Sequence, residues 1–370
     1  MTPLLHLVEP ADWRRALDAG ALRPPSLAGS GFVHLSTPEQ VHLPARRLFP
    51  GRRDLVLLVV DPARLADPVR FEPGVPGDPA AMRFPHLYGP LPAAAVVAVV
   101  PYRPPAEPVL PAPGDALGRA VAHLVSLRVR RAAEVRDVPG GVAVLDPAYG
   151  HSRDDNRLLL TTPVDAGTVE ATATGIARAA GLDHRSATLL WPGAGEVAGL
   201  LADRGWDTGE VLVMARPAGP AAPGPRAAPV PRSLLTDLWR RSWRDELPPR
   251  ADLEEVVEQL VGREHRTDRV VAVHDLAVFE EGRPVAAGQL RVDGATAAVD
   301  SVQTDAAARG RGHGDAVLGA ALDHALAAGC DLVLVEAAAG DWPRSWYARR
   351  GFAEVGSVWE VGRPLDRDAA

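Results

Sequence analysis

Six consecutive residues, Arg309-Gly310-Arg311-Gly312-His313-Gly314, lie between a strand-like run, Ala295 to Val302, and a helix-like run, Asp315 to Ala328. Glycines let the backbone curl until successive N–H groups point into one concavity. The helix that follows adds its free first-turn N–H groups and the positive end of its dipole. The chemistry this suits is anion binding, and a pyrophosphate joining a nucleotide to an acyl carrier fits such a cradle. A dinucleotide-binding loop would follow the first strand of a parallel unit and be trailed by an acidic residue about 20 positions on. A P-loop would end in Gly-Lys-Ser/Thr. Neither pattern is present, and the chain has no lysine: all 40 residues counted as Lys+Arg are arginines. A Schiff-base mechanism is excluded on the same ground.

The elements that must position the loop are legible on both sides. Before it runs an antiparallel meander: Leu276 to Phe279, a turn at Glu281-Gly282, Val285 to Val292, a turn at Asp293-Gly294, then Ala295 to Val302. After it Val317, Leu318, Ala321, Leu322, Ala325 and Leu326 fall on one helical face, with Gly329 as a stop. A buried-looking strand, Leu332 to Glu336, precedes Trp346-Tyr347-Ala348-Arg349-Arg350-Gly351-Phe352. Cys330, the one cysteine, excludes an intramolecular disulfide and reads as a small buried hydrophobe.

In this order and spacing, residues 232–365 resemble a GNAT-family N-acetyltransferase. The family's Arg-x-x-Gly-x-Gly motif is matched by Arg309, Gly312 and Gly314, and its Tyr-x-x-x-Gly-Phe element by Tyr347, Gly351 and Phe352. The resemblance implies acetyl-CoA as cosubstrate, bound by Arg309, Gly310, Arg311, Gly312, His313 and Gly314. It also implies a strand that splays from its neighbour ahead of the loop, so that Val302, Gln303 and Thr304 hold the pantetheine arm. The implied mechanism is direct attack of an amine on the thioester, with catalysis mostly by positioning and by donors aimed at the oxyanion. Tyr347 is the implied general acid for the departing thiolate; the alternative is a core tyrosine between Trp346 and Phe352. Asp300 or Glu336 is the implied general base, directly or through water, and each is equally readable as a solvated or structural carboxylate. Family members commonly have Asn seven residues before the tyrosine; here that position is Gly340.

The 370 residues are 46% hydrophobic and 24% charged, ordinary for a globular protein with room for two or three domains. No run approaches membrane-spanning length and Met1 to Pro10 has no basic start or long apolar stretch, so a cytoplasmic location is expected. The formal net charge is -7. It resides beyond Arg232, which favours cationic amines slightly and disfavours nucleic acid.

Two proline-rich stretches, Pro101 to Gly114 and Pro217 to Pro231, read as extended spacers that cannot sustain sheet pairing. Between them, Ala116 to Arg216 reads as a worn copy of the last third. It has a helical arginine-rich opening, strands at Val142 to Leu145 and Arg157 to Thr162, a helix from Val169 to Ala180, and strands at Ala187 to Leu190 and Val211 to Met214. No Gly-x-Gly cradle occurs between Thr162 and Leu182. The tandem plan is similar to mycothiol synthases, and it implies a degenerate half that helps form the acceptor site. Asn156 is a candidate substrate contact or a turn residue. In the last third, Trp239, Trp243, Arg244 and Glu246 either line an acceptor pocket or simply pack.

The first block carries Trp13, Ala16, Gly20, Gly31-Phe32-Val33-His34-Leu35-Ser36-Thr37, the strand Leu55 to Val60, Glu72 and Phe84-Pro85-His86-Leu87-Tyr88-Gly89-Pro90-Leu91. On these residues it resembles a small bacterial domain family of unknown function, distantly similar in fold to ADP-ribosyltransferases. On strands, His34 and Ser36 share one face, as do His86 and Tyr88, and with Glu72 they could line a nucleotide-binding cleft or serve as structural polar groups. No paired-ligand spacing points to a metal, and no nucleophile elbow to a hydrolase.

The expectation is an α/β and α+β protein. A small α+β domain (1–103) precedes two tandem GNAT-like mixed-sheet domains, a degenerate one (115–216) and an acetyltransferase (232–365). The expected activity is acetyl-CoA-dependent N-acetylation of a small-molecule or peptide amine by a monomer or homodimer, with no nucleic-acid or membrane partner. The alternative is a non-catalytic acyl-CoA sensor with a nucleotide- or NAD-related first module.

Overall fold

The computed structural model describes residues 2–74 and 82–365. The first module contains strands β1 (Leu4–Val8), β2 (Ala21–Leu22), β3 (Val33–His34), β4 (Leu55–Val60), β5 (Val69–Pro73), β6 (Arg83–Leu87), β7 (Leu91–Pro92) and β8 (Val96–Tyr102). Helices α1 (Pro10–Ala19), α2 (Pro25–Ser30) and α3 (His42–Leu48) accompany them. β4 lies between β1 and β8 in an antiparallel sheet and all six of its residues are buried. That is why its sequence is an unbroken apolar run and not an alternating one. Trp13 of α1 is fully buried in the same core.

The middle third supplies α4 (Ala116–Arg131), β9 (Glu134–Val138), β10 (Gly141–Leu145), β11 (Arg157–Leu160), α5 (Ala166–Ala180), β12 (His184–Leu189), α6 (Ala194–Ala202) and β13 (Asp207–Pro217). The last third supplies β14 (Ala228–Pro229), α7 (Thr236–Glu246), α8 (Leu253–Gly262), β15 (Ala272–Glu280), β16 (Arg283–Asp293), β17 (Thr296–Thr304), α9 (His313–Ala327), β18 (Leu332–Ala338), α10 (Pro343–Ala348) and β19 (Ala353–Pro364). Their strands form one sheet, in the order β14-β15-β16-β17-β18-β13-β19-β12-β11-β10-β9.

That order is nearly palindromic. Each half contributes an antiparallel run ending in a parallel pair, β17 with β18 and β11 with β12. Each half's last strand then pairs with the other half: β13 lies against β18, and β19 against β12. β13 and β19 also pair with each other at the centre. The two halves therefore do not merely pack together; they exchange strands, and the boundaries 115–216 and 232–365 divide the sequence but not the sheet.

Both proline-rich stretches correct the expectation that they stay out of the sheets: Pro101 and Tyr102 end β8 against Val56 and Leu55, and Pro217 ends β13 against Leu332. Ala228 and Pro229 form the edge strand β14 against Ala277 and Leu276. An edge position is where a proline's missing N–H is tolerated, because that side has no partner to lose. α9 packs on β15, β16 and β17 through Val317, Leu318, Ala321, Leu322 and Ala325, whereas Leu326 is exposed, one position too far round the helix. Each of the larger buried side chains stabilises this contact by about 1.5–3 kcal/mol. Cys330 is buried and its thiol is pushed up to about 12 by burial and by Asp331, consistent with a packing role.

The first module is fastened to the rest at the β16–β17 turn. Ala295 N–H donates to the Val96 carbonyl at 2.7 Å. Asp293 accepts from Trp13 Nε1 at 2.7 Å and pairs with Arg130 of α4, both residues of the ion pair being nearly fully buried. Arg119 of α4 donates to the Val97 carbonyl at 3.1 Å and to Thr296 Oγ1 at 2.8 Å. α4 is thus held between the first module and the large sheet.

Candidate active site

The cradle takes its shape from two left-handed residues. Gly310 has φ +75° and Gly312 has φ +82°, a region that L side chains adopt only with strain. Gly312 is also the N-cap of α9, which begins without a side-chain cap, so its first-turn N–H groups remain available to a ligand. At Gly314 an added Cβ would lie 3.3 Å from the Trp346 ring. Arg309 Nε donates to the Thr304 carbonyl at 3.2 Å, tying the loop to the end of β17. Arg311 turns its side chain to Glu280 (2.8 Å) and is not part of the cleft wall; His313 Nε2 lies 2.8 Å from the same carboxylate.

β17 and β18 pair only at Thr296–Ala298 against Leu332–Leu334 and then part. β17 also carries an extra residue opposite β16 between the pairs Ala287–Gln303 and Gln289–Asp300. Ser301 sits in this bulge at φ +54°, a left-handed conformation that costs energy for a non-glycine residue. Parting and bulge together open the sheet beside Val302, Gln303 and Thr304.

A cleft of about 860 Å³ follows this opening. Its walls include Arg309, Gly310, Gly312, His313 and Gly314 of the loop, Val302–Thr304 of the parted strand with Tyr347, and the carboxylate residues Asp300 and Glu336. Every residue expected to act at the cofactor or in catalysis lines it, except Arg311.

The two carboxylates differ in surroundings. Arg291 pairs with Asp300 while also donating to Glu264 at 2.9 Å and to Gln289 Oε1 at 2.8 Å. Burial works against the Asp300 charge, but Arg291 and the Ser301 hydroxyl (3.0 Å) outweigh it and hold the carboxyl below its usual range. The Glu336 carboxylate has no hydrogen-bond or ion-pair partner among the described residues, and the side chain is exposed to the cleft. Partial desolvation by the cleft wall, with the nearby charges of Asp300, Glu360 and Asp154, raises the carboxyl to about 7 against the opposing pull of Arg128. Tyr347 is buried among Trp346 and Phe352, with ring centroids 4.8 and 5.6 Å away, and its phenol is pushed up to about 12 by burial and Asp300. The arrangement can offer a base that is half ionised at neutral pH and an acid that keeps its proton.

Several wall residues escaped the sequence reading. α4 presents Ala120, His123, Leu124, Leu127, Arg128 and Arg131 to the cleft, together with Asp154. Their spacing of 3, 4, 7, 8 and 11 is one helical face, a signal that was present but had no indicated direction. From α7, Asp245 and Glu246 line the cleft, but Trp239 is buried in a separate core and Arg244 pairs with Glu254. Asn156 is a turn residue: its amide holds Asp146 N–H and the carbonyls of Tyr149 and Ser152.

The corresponding place in the middle third is closed. β11 and β12 stay paired to their ends, Leu158 with Ala187 through Leu160 with Leu189. The N-terminus of α5 is capped by Asp165, which accepts from Thr168 N–H at 3.0 Å and from its hydroxyl at 2.7 Å. A carboxylate already occupies the position an anion would take.

Residues 232–352 match the Acetyltransferase (GNAT) family. The last third carries a GNAT domain. Residues 7–99 match a family described only as a protein of unknown function (DUF952). A GCN5-related N-acetyltransferase from Kribbella flavida is similar to this chain at 19% identity, covering 70% of this chain and 99% of that one, with a TM-score of 0.48. A functionally unknown conserved protein from Staphylococcus epidermidis aligns at 11% identity over 64% of this chain and 95% of its own, with a TM-score of 0.52, which shows a shared fold. A Caulobacter crescentus protein is 31% identical over 29% of this chain and 94% of its own, with a TM-score of 0.26. No curated protein matches this chain. The likeness of the first module to ADP-ribosyltransferases gains no support from these relatives.

In the first module, His34 and His86 are register partners, with ring centroids 5.0 Å apart, and Phe32 stacks on His86 at 4.0 Å. Glu72 accepts from the Tyr88 hydroxyl at 2.7 Å and lies 3.4 Å from His86 Nδ1. Ser36 leaves this sheet: its backbone pairs with Leu5 of β1 and it is buried. His34, His86, Tyr88 and Glu72 thus gather, and the fifth residue does not join them along the strand. No helix among the described residues is long and apolar enough to cross a membrane, and no group of three or more His, Cys, Asp or Glu among them could hold a metal ion.

Proposed function

We propose that the chain is an acetyl-CoA-dependent N-acetyltransferase whose acceptor is a cationic primary amine. One observation carries this reading: a left-handed glycine cradle, an opened strand pair, a carboxyl near neutral proton affinity and a protonated tyrosine line a single cleft. Main-chain N–H groups at Gly312 to Gly314 would hold the pyrophosphate, and the parted strand at Val302 to Thr304 would align the pantetheine arm. Glu336 would take the proton from an entering ammonium, and Tyr347 would give one to the departing thiolate. The closed middle third supports one cofactor site per chain. Among the described residues no ion pair holds Glu336, Asp245 or Glu246 in the cleft wall, the Glu246 carboxylate accepting only from the Ser242 hydroxyl at 3.0 Å, and this favours a positively charged acceptor.

The test is release of free thiol from acetyl-CoA with spermidine, glucosamine and a tripeptide as acceptors. Turnover with at least one of them is expected. Tight acetyl-CoA binding with no turnover by any amine would replace this reading with that of a sensor.

A further inference from the structure

The middle third offers no open cradle of its own, yet its helix α4 walls the cleft of the active half. We propose that His123 of α4 is a binding residue for the acceptor, and that the acceptor is a hydroxyl-bearing primary amine, an amino sugar or amino alcohol. The inference narrows the acceptor class named above and rests on the reading of the cleft as that of an N-acetyltransferase.

Strand alternation sorts the cleft wall into two sides. On the side of α9, Val299, Val302, Val317 and Val335 share one core. On the opposite side Ala120 and Leu124 of α4 pack with Ala298 and Leu334. Asp300 and Glu336 stand two residues beyond Ala298 and Leu334 on their strands, so they face α4, and Gln303, next to Val302, faces it too. The cradle belongs to α9, which leaves the α4 side for the acceptor. His123 lies three residues after Ala120 and four before Leu127, on the same helical face. It lines the cleft, is only 5% exposed, and neither of its ring nitrogens has a hydrogen-bond partner. A buried polar group without a partner is a standing cost, and beside a ligand cavity it is explained by a ligand that supplies the partner. The neighbouring cations are already held, Arg128 and Arg131 by Asp154, and Arg291 by Asp300 and Glu264. Gln303 Oε1, on the same side, is likewise buried and unpartnered. Burial holds the His123 imidazole down at about 4, so at neutral pH one nitrogen carries a proton and the other is bare. With no hydrogen bond to hold it, the ring can present either edge to the cleft by a half-turn about χ2. A hydroxyl accepts from the protonated nitrogen, or donates to the bare one or to Gln303 Oε1, whereas an ammonium suits only the acceptors.

Glucosamine and cyclohexylamine make a matched pair: both are cationic ring amines, and only the first carries hydroxyls. In the full chain, thiol release from acetyl-CoA should favour glucosamine by at least about tenfold in kcat/KM. His123→Leu should lower kcat/KM for glucosamine about tenfold, mainly through KM, and leave cyclohexylamine unchanged, so that the preference disappears. His123→Gln, which keeps a donor and an acceptor, should retain part of it. Acetyl-CoA affinity should be the same in all of these proteins. A histidine that only packs would affect both amines alike. An unchanged ratio between the two amines in His123→Leu would overturn the proposal, as would a wild-type preference for cyclohexylamine. A measurement without turnover keeps the test open if His123→Leu does not fold. In the wild type with coenzyme A present, nitrogen-15 NMR of labelled imidazoles, assigned with His123→Gln, should show the His123 signals moving on addition of glucosamine and not of cyclohexylamine. Signals that stay in place would also overturn the proposal. Were no amine acetylated at all, the acetyltransferase reading would fall while the imidazole signals still judge the hydroxyl site.

Discussion

Glu336 and Tyr347 face one cleft from opposite ends of the proton scale, the carboxyl at about 7 and the phenol at about 12. A base works only when ionised, so kcat/KM should climb as pH rises through about 7 and then level, with no fall from the tyrosine below pH 10. Glu336→Gln should abolish that climb and lower kcat/KM by about 10²–10³, measured as a pH profile. Tyr347→Phe should lower kcat by about 10² with acetyl-CoA affinity unchanged, because the ring packing on Trp346 and Phe352 survives. Were Tyr347 only a core residue, its loss of the hydroxyl would leave kcat untouched. Tyr347 could be named from sequence because it stands four residues before Gly351 in a family motif, and Glu336 because it ends the strand that follows the loop and its helix. Wall residues of α4 such as His123 could not: they belong to the other half of the chain, and no local spacing ties them to Glu336.

Among the elements, the junction of β17, its loop and α9 sets cofactor affinity. Gly312→Val forces a β-branched residue to φ +82°, and the expected result is a loss of at least about tenfold in coenzyme A affinity by calorimetry, with thermal stability lowered by only about 1–2 kcal/mol. Retained affinity would show that the cradle is not the binding site. The meander, α9 and β18 were all readable from apolar periodicity and turn residues, and their observed ends differ by a few residues. The parting of β17 from β18 was inferred from family likeness alone. The bulge at Ser301 was not foreseen, since nothing in Asp300-Ser301-Val302 distinguishes a left-handed serine from an extended one. Pairing at Ala228–Pro229 was misjudged for a related reason: composition speaks against a central strand but not against an edge.

At the scale of the whole molecule, Asp293 joins all three thirds, receiving Trp13 from the first, Arg130 from the second and lying on β16 of the third. Asp293→Ala would strand a buried guanidinium and an indole N–H, and it should cost about 3–5 kcal/mol, seen as a lowered midpoint in chemical denaturation. The three-part plan was visible in the proline-rich stretches, but the shared sheet was not, because strand exchange leaves no trace in composition. It has a consequence for biosynthesis. A ribosome delivers β12 long before β19, so the nascent middle segment carries a bare main-chain edge from His184 to Leu189 until Ala353–Pro364 has emerged. Such an edge invites pairing with a neighbouring chain. Maturation of the sheet is therefore a late event, governed by how quickly the last-made strand finds a partner made much earlier.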